Sequence, residues 1–298
     1  MIRQILRSIV ILVSLINGAL AQQKIVVFQS DFGLKDGAVS AMKGVAMGVS
    51  QELTLFDLTH EIPAYNIWEA AYRLEQTVPY WPKGTVFVSV VDPGVGTSRK
   101  SVVMKTKAGH YIVTPDNGTL TLLAESEGID EVREIDEAVN RRKESGKSYT
   151  FHGRDVYAYT AARLAAGVIT FEEVGGRLPQ QVVMIPYQKA SKQGSVLKGN
   201  ISILDVQYGN IWTNIPGELL QELDVKTGQL LTIRIYHNQQ KKYEGKIPYV
   251  QTFGAVAEGK PLLYLNSLLQ VSLALNMANF AEKFKISSGS EWSIEVSK

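Results

Sequence analysis

Asp92 and Arg99 stand seven residues apart in the run VVDPGVGTSR, and His152 lies in TFHGRD beside Gly153, Arg154 and Asp155. An acid, an arginine and a histidine are the types needed to take a proton from water. A carboxylate and an imidazole can orient and deprotonate the water. A guanidinium keeps the carboxylate ionised and balances its charge. Each of the three sits in a segment containing glycine, which lets the backbone turn sharply and approach a ligand. Two structural readings stand beside the catalytic one. Arg99 could pair with Asp92 across the turn Pro93-Gly94-Val95-Gly96, since ion pairs of this kind also occur without catalysis. His152 could be a satisfied core histidine.

Three further clusters have chemical potential. Asp31, in Asp31-Phe32-Gly33, could grip a ribose diol with two hydrogen bonds, or cap the helix that follows it. The DFG resemblance to protein kinases fails because no glycine-rich loop, strand lysine motif or HRD segment accompanies it. Asp57-Leu58-Thr59-His60 could begin a metal site. However, the chain has four histidines, and only His60 and His152 sit in motif-like settings. Turn and cap chemistry is the preferred role for Asp57 and Thr59, and no metal is expected. Asp205-Val206-Gln207-Tyr208-Gly209-Asn210 combines an acid, an aromatic face and an amide, a set that can bind an amine and a heterocycle. It also fits a surface turn, with Gly209 supplying positive φ.

The elements that must position these groups alternate. KIVVFQ (24–29), Leu53–Phe56, TVFVSVV (85–91), Val102–Lys105 and Tyr111–Val113 read as strands. Val39–Val49, Ile67–Thr77 and Asp155–Ala166 have helical spacing. This alternation predicts an α/β domain over residues 22–180 with a mainly parallel sheet covered by helices. Asp31, Asp57, Asp92 and Asp116 each lie at or near a strand end, where ligands bind in open α/β sheets. Residues 181–195, polar and following Pro179, read as a linker. Val196–Leu204, Leu230–Tyr236 and Pro261–Leu265 predict a smaller, mostly β domain over 196–298.

Composition narrows the field. The 298-residue chain carries 31 Lys+Arg against 29 Asp+Glu, a net charge of +2. That balance leaves no basic footprint for nucleic acid. There is no cysteine, which excludes disulfides and zinc thiolates. Arg3 and Arg7, the apolar run Ile9–Ile16 and the small-x-small pattern Ala19-Leu20-Ala21 read as a signal peptide over residues 1–21. The expectation is an exported, periplasmic or secreted protein with no membrane association after cleavage.

Taken together, these segments resemble the S-adenosylmethionine hydrolase family, also called SAM hydroxide adenosyltransferases, to which fluorinases and chlorinases are related. The matching stretches are SDFGLKD, DLTHEIP, VVDPGVGTSR, TPDNGTL, TFHGRD, YGNIWTNI and YLNS, in order from Ser30 to Ser267. The resemblance implies an N-terminal α/β domain, a C-terminal β-barrel-like domain and a homotrimer. It further implies sites between the N-terminal domain of one subunit and the C-terminal domain of the next. By the same match, Asp92, Arg99 and His152 are the hydrolase triad. Asp31 would hold the ribose, with Tyr65 and Phe151 walling the sugar. Tyr208 and Asn210 would meet adenine, Asp205 the methionine ammonium, and the backbone near Ser267 its carboxylate. Family members often follow YLNS with a residue and glycine or with Arg-Gly; here Leu268 and Leu269 follow. The expected activity is hydrolysis of S-adenosyl-L-methionine to adenosine and L-methionine, without a cofactor. The alternatives are an exported nucleoside-binding protein without turnover and a halide-using relative.

Overall fold

The computed structural model describes residues 24–298, so the signal peptide expected over residues 1–21 lies outside them. The chain forms two compact units that divide after Val183.

In the first unit, strands β1 (Ile25–Ser30), β2 (Thr54–Thr59), β3 (Val86–Val90), β4 (Ser101–Thr106), β5 (Tyr111–Pro115), β6 (Ile129–Glu134) and β7 (Arg177–Leu178) build one sheet. Their order is β2-β1-β3-β5-β4-β6-β7. β1 pairs in parallel with β2 and β3, and β3 with β5. The pairings of β5 with β4, β4 with β6 and β6 with β7 are antiparallel. The sheet is therefore mixed, which corrects the expectation of a mainly parallel one. The reason is loop length. Only residues 107–110 separate β4 from β5, whereas a parallel neighbour requires a crossover of about a dozen residues or more.

The apolar runs of β1 and β3 are buried on both faces, as strands between two helical layers must be. On one face, Val26, Phe28, Val86, Val88 and Val90 pack with Met42 and Ala46 of helix α1 (Ala38–Val49) and with Val156, Ala161 and Ala162. On the other, Val27, Phe87, Met104 and Ile112 pack with Leu74 of helix α2 (Ile67–Thr77) and Leu123 of helix α3 (Thr121–Ser126). Each of the larger side chains, Val, Leu, Ile, Phe or Met, contributes about 1.5–3 kcal/mol on full burial. Asn66 starts α2 by accepting the Glu69 N–H at 3.0 Å, the usual way an N-cap satisfies an orphan donor. A short helix, α4 (Glu137–Asn140), follows β6. Residues 155–166, expected as one helix, instead continue a turn of π-helix (Gly153–Ala158) into helix α5 (Tyr159–Ala165).

The second unit is built on β8 (Ser191–Gln193), β9 (Val196–Leu204), β10 (Ile211–Pro216), β11 (Leu230–His237), β12 (Gln240–Pro248), β13 (Pro261–Leu265), β14 (Gln270–Leu275) and β15 (Trp292–Ser297). β8 lies within the stretch read as linker and pairs with β9. The main path runs β12-β11-β15-β9-β10-β14-β13. Its two edges approach each other where Tyr249, just past β12, bridges Leu263 of β13, and the Val250 N–H donates to the Leu263 carbonyl at 2.9 Å. The sheet is thus nearly barrel-shaped, which leaves few unpaired edge groups. Ile201, Ile211, Ile233, Leu273, Phe280 and Ile294 fill its interior.

Gly175, just before β7, has φ +152°, and a Cβ there would stand 2.1 Å from the carbonyl oxygen of Glu134 at the end of β6. A Cβ on Gly176 would meet nothing within 4 Å. Gly175→Ala should therefore lose roughly 2 kcal/mol or more, and Gly176→Ala about 0.5 kcal/mol or less. Urea unfolding of the two variants checks this; equal losses would show that the turn tolerates a side chain.

Candidate active site

Because β2, β1, β3 and β5 run parallel, their C-terminal ends lie along one edge of the sheet. Asp31 follows β1, Asp92 follows β3, and Asp116 and Asn117 follow β5. A cavity of about 250 Å³ opens here, lined by Asp31, Phe32, Tyr65, Val90, Asp92, Val95, Phe151 and His152 among others. Five of the expected site residues thus share one cavity. Arg99, a sixth, reaches it through Asp92.

Asp92 carries the tightest contact. Arg99 grips both its oxygens, Nη1 on Oδ1 and Nη2 on Oδ2. The Gly94 N–H donates to Oδ1 at 3.1 Å. The Asp92 side chain is 5% exposed and that of Arg99 16%, so this is a largely desolvated pair. The β5 end supports it: Asn117 Nδ2 donates to the Val91 carbonyl at 2.9 Å, immediately before Asp92. Asp116 does not join the pair. Its carboxylate accepts the Val183 N–H at 2.8 Å, and burial raises its pKa.

Asp31 does not cap the following helix. Its N-cap is Gly37, and Asp36 Oδ1 accepts the Ala38 N–H at 2.8 Å. Asp31 Oδ2 instead accepts the Tyr65 N–H at 2.8 Å. Tyr65 adopts a left-handed backbone with φ 68° and remains 72% exposed. Its ring is therefore free to cover whatever occupies the cavity. Phe32 and Phe151 meet edge to face at 5.7 Å.

The Asp57–His60 segment supports this edge structurally. His60 Nδ1 lies 2.7 Å from Ser30 Oγ, and Nε2 lies 3.0 Å from Asp57 Oδ1. Ser30 Oγ accepts the Phe32 N–H at 3.3 Å, and the His60 carbonyl accepts the Gly33 N–H at 2.7 Å. The histidine thus ties down the Asp31 loop from two sides, and both its ring nitrogens are taken. Burial lowers the His60 pKa against the pull of Asp57, favouring the neutral ring. Burial also opposes ionisation of Asp57, but hydrogen bonds from Lys43 and His60 outweigh it and hold that carboxyl below its ordinary range.

His152 is 7% exposed and precedes the π-helical turn. A Cβ on Gly153 would crowd Val90 Cγ1 at 3.2 Å and Met42 Sδ at 3.3 Å. Glycine there lets the segment press His152 and Phe151 against the end of β3. Asp155 anchors the turn, accepting from Arg154 at 2.8 Å and Arg142 at 2.9 Å. Its burial raises the pKa, but those two arginines prevail and keep it low. The sequence reading missed two contacts of His152: Arg141 Nη2 lies 3.2 Å from Nε2, and Glu137 Oε1 lies 3.6 Å away. The only trace of them in the sequence is the i,i+4 spacing of an acid and an arginine.

In the second unit, Asp205, Tyr208 and Asn210 occupy the β9–β10 turn. Asp205 closes it: Oδ1 accepts the Gln207 N–H at 3.3 Å, and Oδ2 accepts from Asn210 Nδ2 at 3.3 Å. A Cβ on Gly209, at φ +66°, would stand 1.9 Å from Asn279 Oδ1. Tyr208 is 64% exposed and Asn210 is buried. Both line an apolar hollow with Phe253 and Met277. Ser267 lies exposed in a separate turn between β13 and β14. Asn266 closes that turn, its Oδ1 accepting the Leu268 and Gln270 N–H groups.

A mixed α/β unit with an acid–arginine–histidine cavity at its sheet edge, joined to a near-barrel, defines a two-unit class of protein. The profile of the SAM hydroxide adenosyltransferase N-terminal domain matches residues 26–175, and that of the C-terminal domain matches residues 199–293. The chain belongs to the SAM hydroxide adenosyltransferase family. It is 35% identical over 233 residues to an (R)-S-adenosyl-L-methionine hydrolase of Methanocaldococcus jannaschii, covering 77% of this chain and 80% of that one. It is 30% identical to a fluorinase of Actinopolyspora mzabensis, covering 89% and 95%. A crystal structure of an uncharacterized conserved protein from Thermotoga maritima superimposes with a TM-score of 0.81 at 34% identity, covering 92% of this chain and 100% of that one.

His60 generates a pH prediction. Its lowered folded pKa means the unfolded chain binds the extra proton, so its contribution is present above about pH 6.5 and lost as pH falls below that value. Lys43 and Glu61 act on it with Asp57. His60→Gln should lower stability by roughly 1–3 kcal/mol at pH 8, and the gap to wild type should narrow towards pH 5. Thermal melts across that range check this; a gap that widens in acid would mean that the folded ring is protonated.

Proposed function

We propose that the protein hydrolyses S-adenosyl-L-methionine to adenosine and L-methionine, with water as the nucleophile and no cofactor. The observation that carries this reading is the Arg99-clamped Asp92 carboxylate sharing one cavity with His152 and Asp31. Water attacks the ribose C5′ in line with the C–S bond. The C5′–O bond forms as the C5′–S pair returns to sulfur, giving methionine as a neutral thioether. That leaving group needs no acid, so the demand falls on the water, which must be oriented and lose a proton. A carboxylate offers about four acceptor sites. Arg99 fills one on each oxygen and Gly94 a second on Oδ1, which leaves one on Oδ2 for the water. His152 supplies the second contact to that water. Asp31 grips the ribose hydroxyls, and Tyr65 and Phe151 wall the sugar.

The remaining substrate contacts rest on the family resemblance. They are Tyr208 and Asn210 to adenine, Asp205 to the ammonium and the backbone at Ser267 to the carboxylate. The homotrimer and the export of the mature chain are proposals of the same kind. Light scattering giving the mass of three chains, and an N-terminus near Gln22 in the protein from its host, are the expected outcomes. A fully active monomer, or a retained Met1, would refute them.

Hydroxide chemistry is favoured over halide chemistry by charge. A halide near ~4 Å from the Asp92 carboxylate would be repelled by up to about 4 kcal/mol at an effective dielectric of about 20, less whatever Arg99 cancels. In ¹⁸O water with excess chloride, the product should be adenosine labelled at the 5′ oxygen. A dominant 5′-chloro product overturns the hydrolase reading, and binding without any product favours a nucleoside-binding protein. Asp92→Asn, Arg99→Ala and His152→Ala should each reduce kcat by about a hundredfold or more, with binding of substrate, read by calorimetry, less affected. Near-wild-type turnover in all three would remove the catalytic assignment.

A further inference from the structure

The hydrogen bonding around His152 determines more than its position. Arg141 Nη2 stands 3.2 Å from His152 Nε2, and a guanidinium nitrogen can only donate. Nε2 must therefore be the acceptor, and a neutral ring then carries its proton on Nδ1. Nδ1 is buried and makes no hydrogen bond within the described residues, while His152 itself lines the cavity. Arg141 is held rigidly for this task. Its Nε donates to Glu137 Oε2 at 3.0 Å, and its guanidinium lies 4.6 Å from the Tyr149 ring centroid. The Arg141 side chain is 10% exposed. Glu137 Oε1, at 3.6 Å from Nε2, is beyond hydrogen-bonding reach and is already committed to Arg141 through its other oxygen.

We propose that Arg141 is a positioning residue that fixes His152 as the Nδ1–H tautomer, so that the imidazole donates a hydrogen bond into the cavity and Asp92 is the group that takes the proton of the attacking water. The mechanistic half of this inference rests on the hydrolase reading above; the tautomer does not. The two roles are complementary. A water held by one donor and one acceptor has a lone pair and a proton each directed, which orients the other lone pair at the reacting carbon. With Nε2 accepting from Arg141, Nδ1 is the ring position left to donate. The Tyr149 and Tyr157 rings, each 6.3 Å from the imidazole centroid, pack on it without an ion-pair partner for its Nδ1.

Nitrogen-15 NMR of the full chain near pH 8, without substrate, reads the tautomer directly, with the His152 signals assigned by their loss in His152→Gln. The expected result is Nδ1–H in wild type and in Arg141→Lys, which keeps a donor, and Nε2–H in Arg141→Met, which does not. Arg141→Met should also lower kcat by at least about tenfold with KM changed less, because a misoriented imidazole costs turnover rather than binding. Arg141→Lys should recover most of that loss. An Nε2–H ring in wild type overturns the proposal. So does an unchanged Nδ1–H ring in Arg141→Met whose other histidine signals remain native, even if that enzyme is fully active. Wild-type protein that shows the expected tautomers but forms no adenosine sinks the hydrolase reading instead.

Discussion

The buried pair of Asp92 and Arg99 is the constraint to which the rest of the first unit answers. Two charges taken from water cost several kcal/mol each unless they are paired and their remaining polar sites are bonded. The fold meets that demand locally. β3 delivers Asp92 from a strand buried on both faces. The Pro93–Gly96 turn bends the chain so that the Gly94 N–H and the Arg99 fork both reach the carboxylate. Asn117, from the end of β5, holds the backbone just ahead of it. Tyr157 is buried nearby; its hydroxyl lies 3.1 Å from Ser101 Oγ, and burial pushes its pKa up to about 12. A carboxylate so held keeps little free acceptor capacity, which suits it to bind a single water.

Around this pair, the site is assembled by backbone ties more than by side-chain reach. The Asp31 loop is held by the Ser30 hydroxyl, by the His60 carbonyl and by the Tyr65 N–H. The His152 segment is held by Asp155 between two arginines, and by a glycine that allows close approach to Val90. Such ties keep each functional group in a narrow range before substrate arrives, and that prior order lowers the cost of reaching the transition state. They also separate labour among titratable groups. His60 and Asp155 are structural, with their ionisation states set by burial and fixed partners. Asp92 and His152 line the cavity and retain unfilled bonding capacity.

Much of this arrangement is legible in the chain. The β-branched and aromatic runs of β1 and β3, the amphipathic α2 and the strands β9 and β13 follow from periodicity, because burial on one or two faces imposes it. The polar clusters at strand ends mark the site edge. Other features leave weak local traces. β6, β7, β10, β12 and β15 mix polar and apolar residues, because one face or an edge is solvated. The reversal of β4 against β5 is written only in a four-residue loop. The π-helical turn after His152 has no periodic signature, since it depends on what Gly153 packs against.

The sequence alone therefore determined the types of group present, their order along the chain, the strand ends that carry them and the family that shares them. These are properties of short segments, where side-chain chemistry and local spacing suffice. The tertiary structure decided which of those groups share a cavity and which serve as ties. It separated Asp92 from Asp116, made His60 a brace rather than a ligand, and brought Arg141 from a different segment against His152. Such outcomes depend on distances between residues far apart in sequence. Only packing sets those distances, and a hydrogen bond changes from present to absent within a fraction of an ångström.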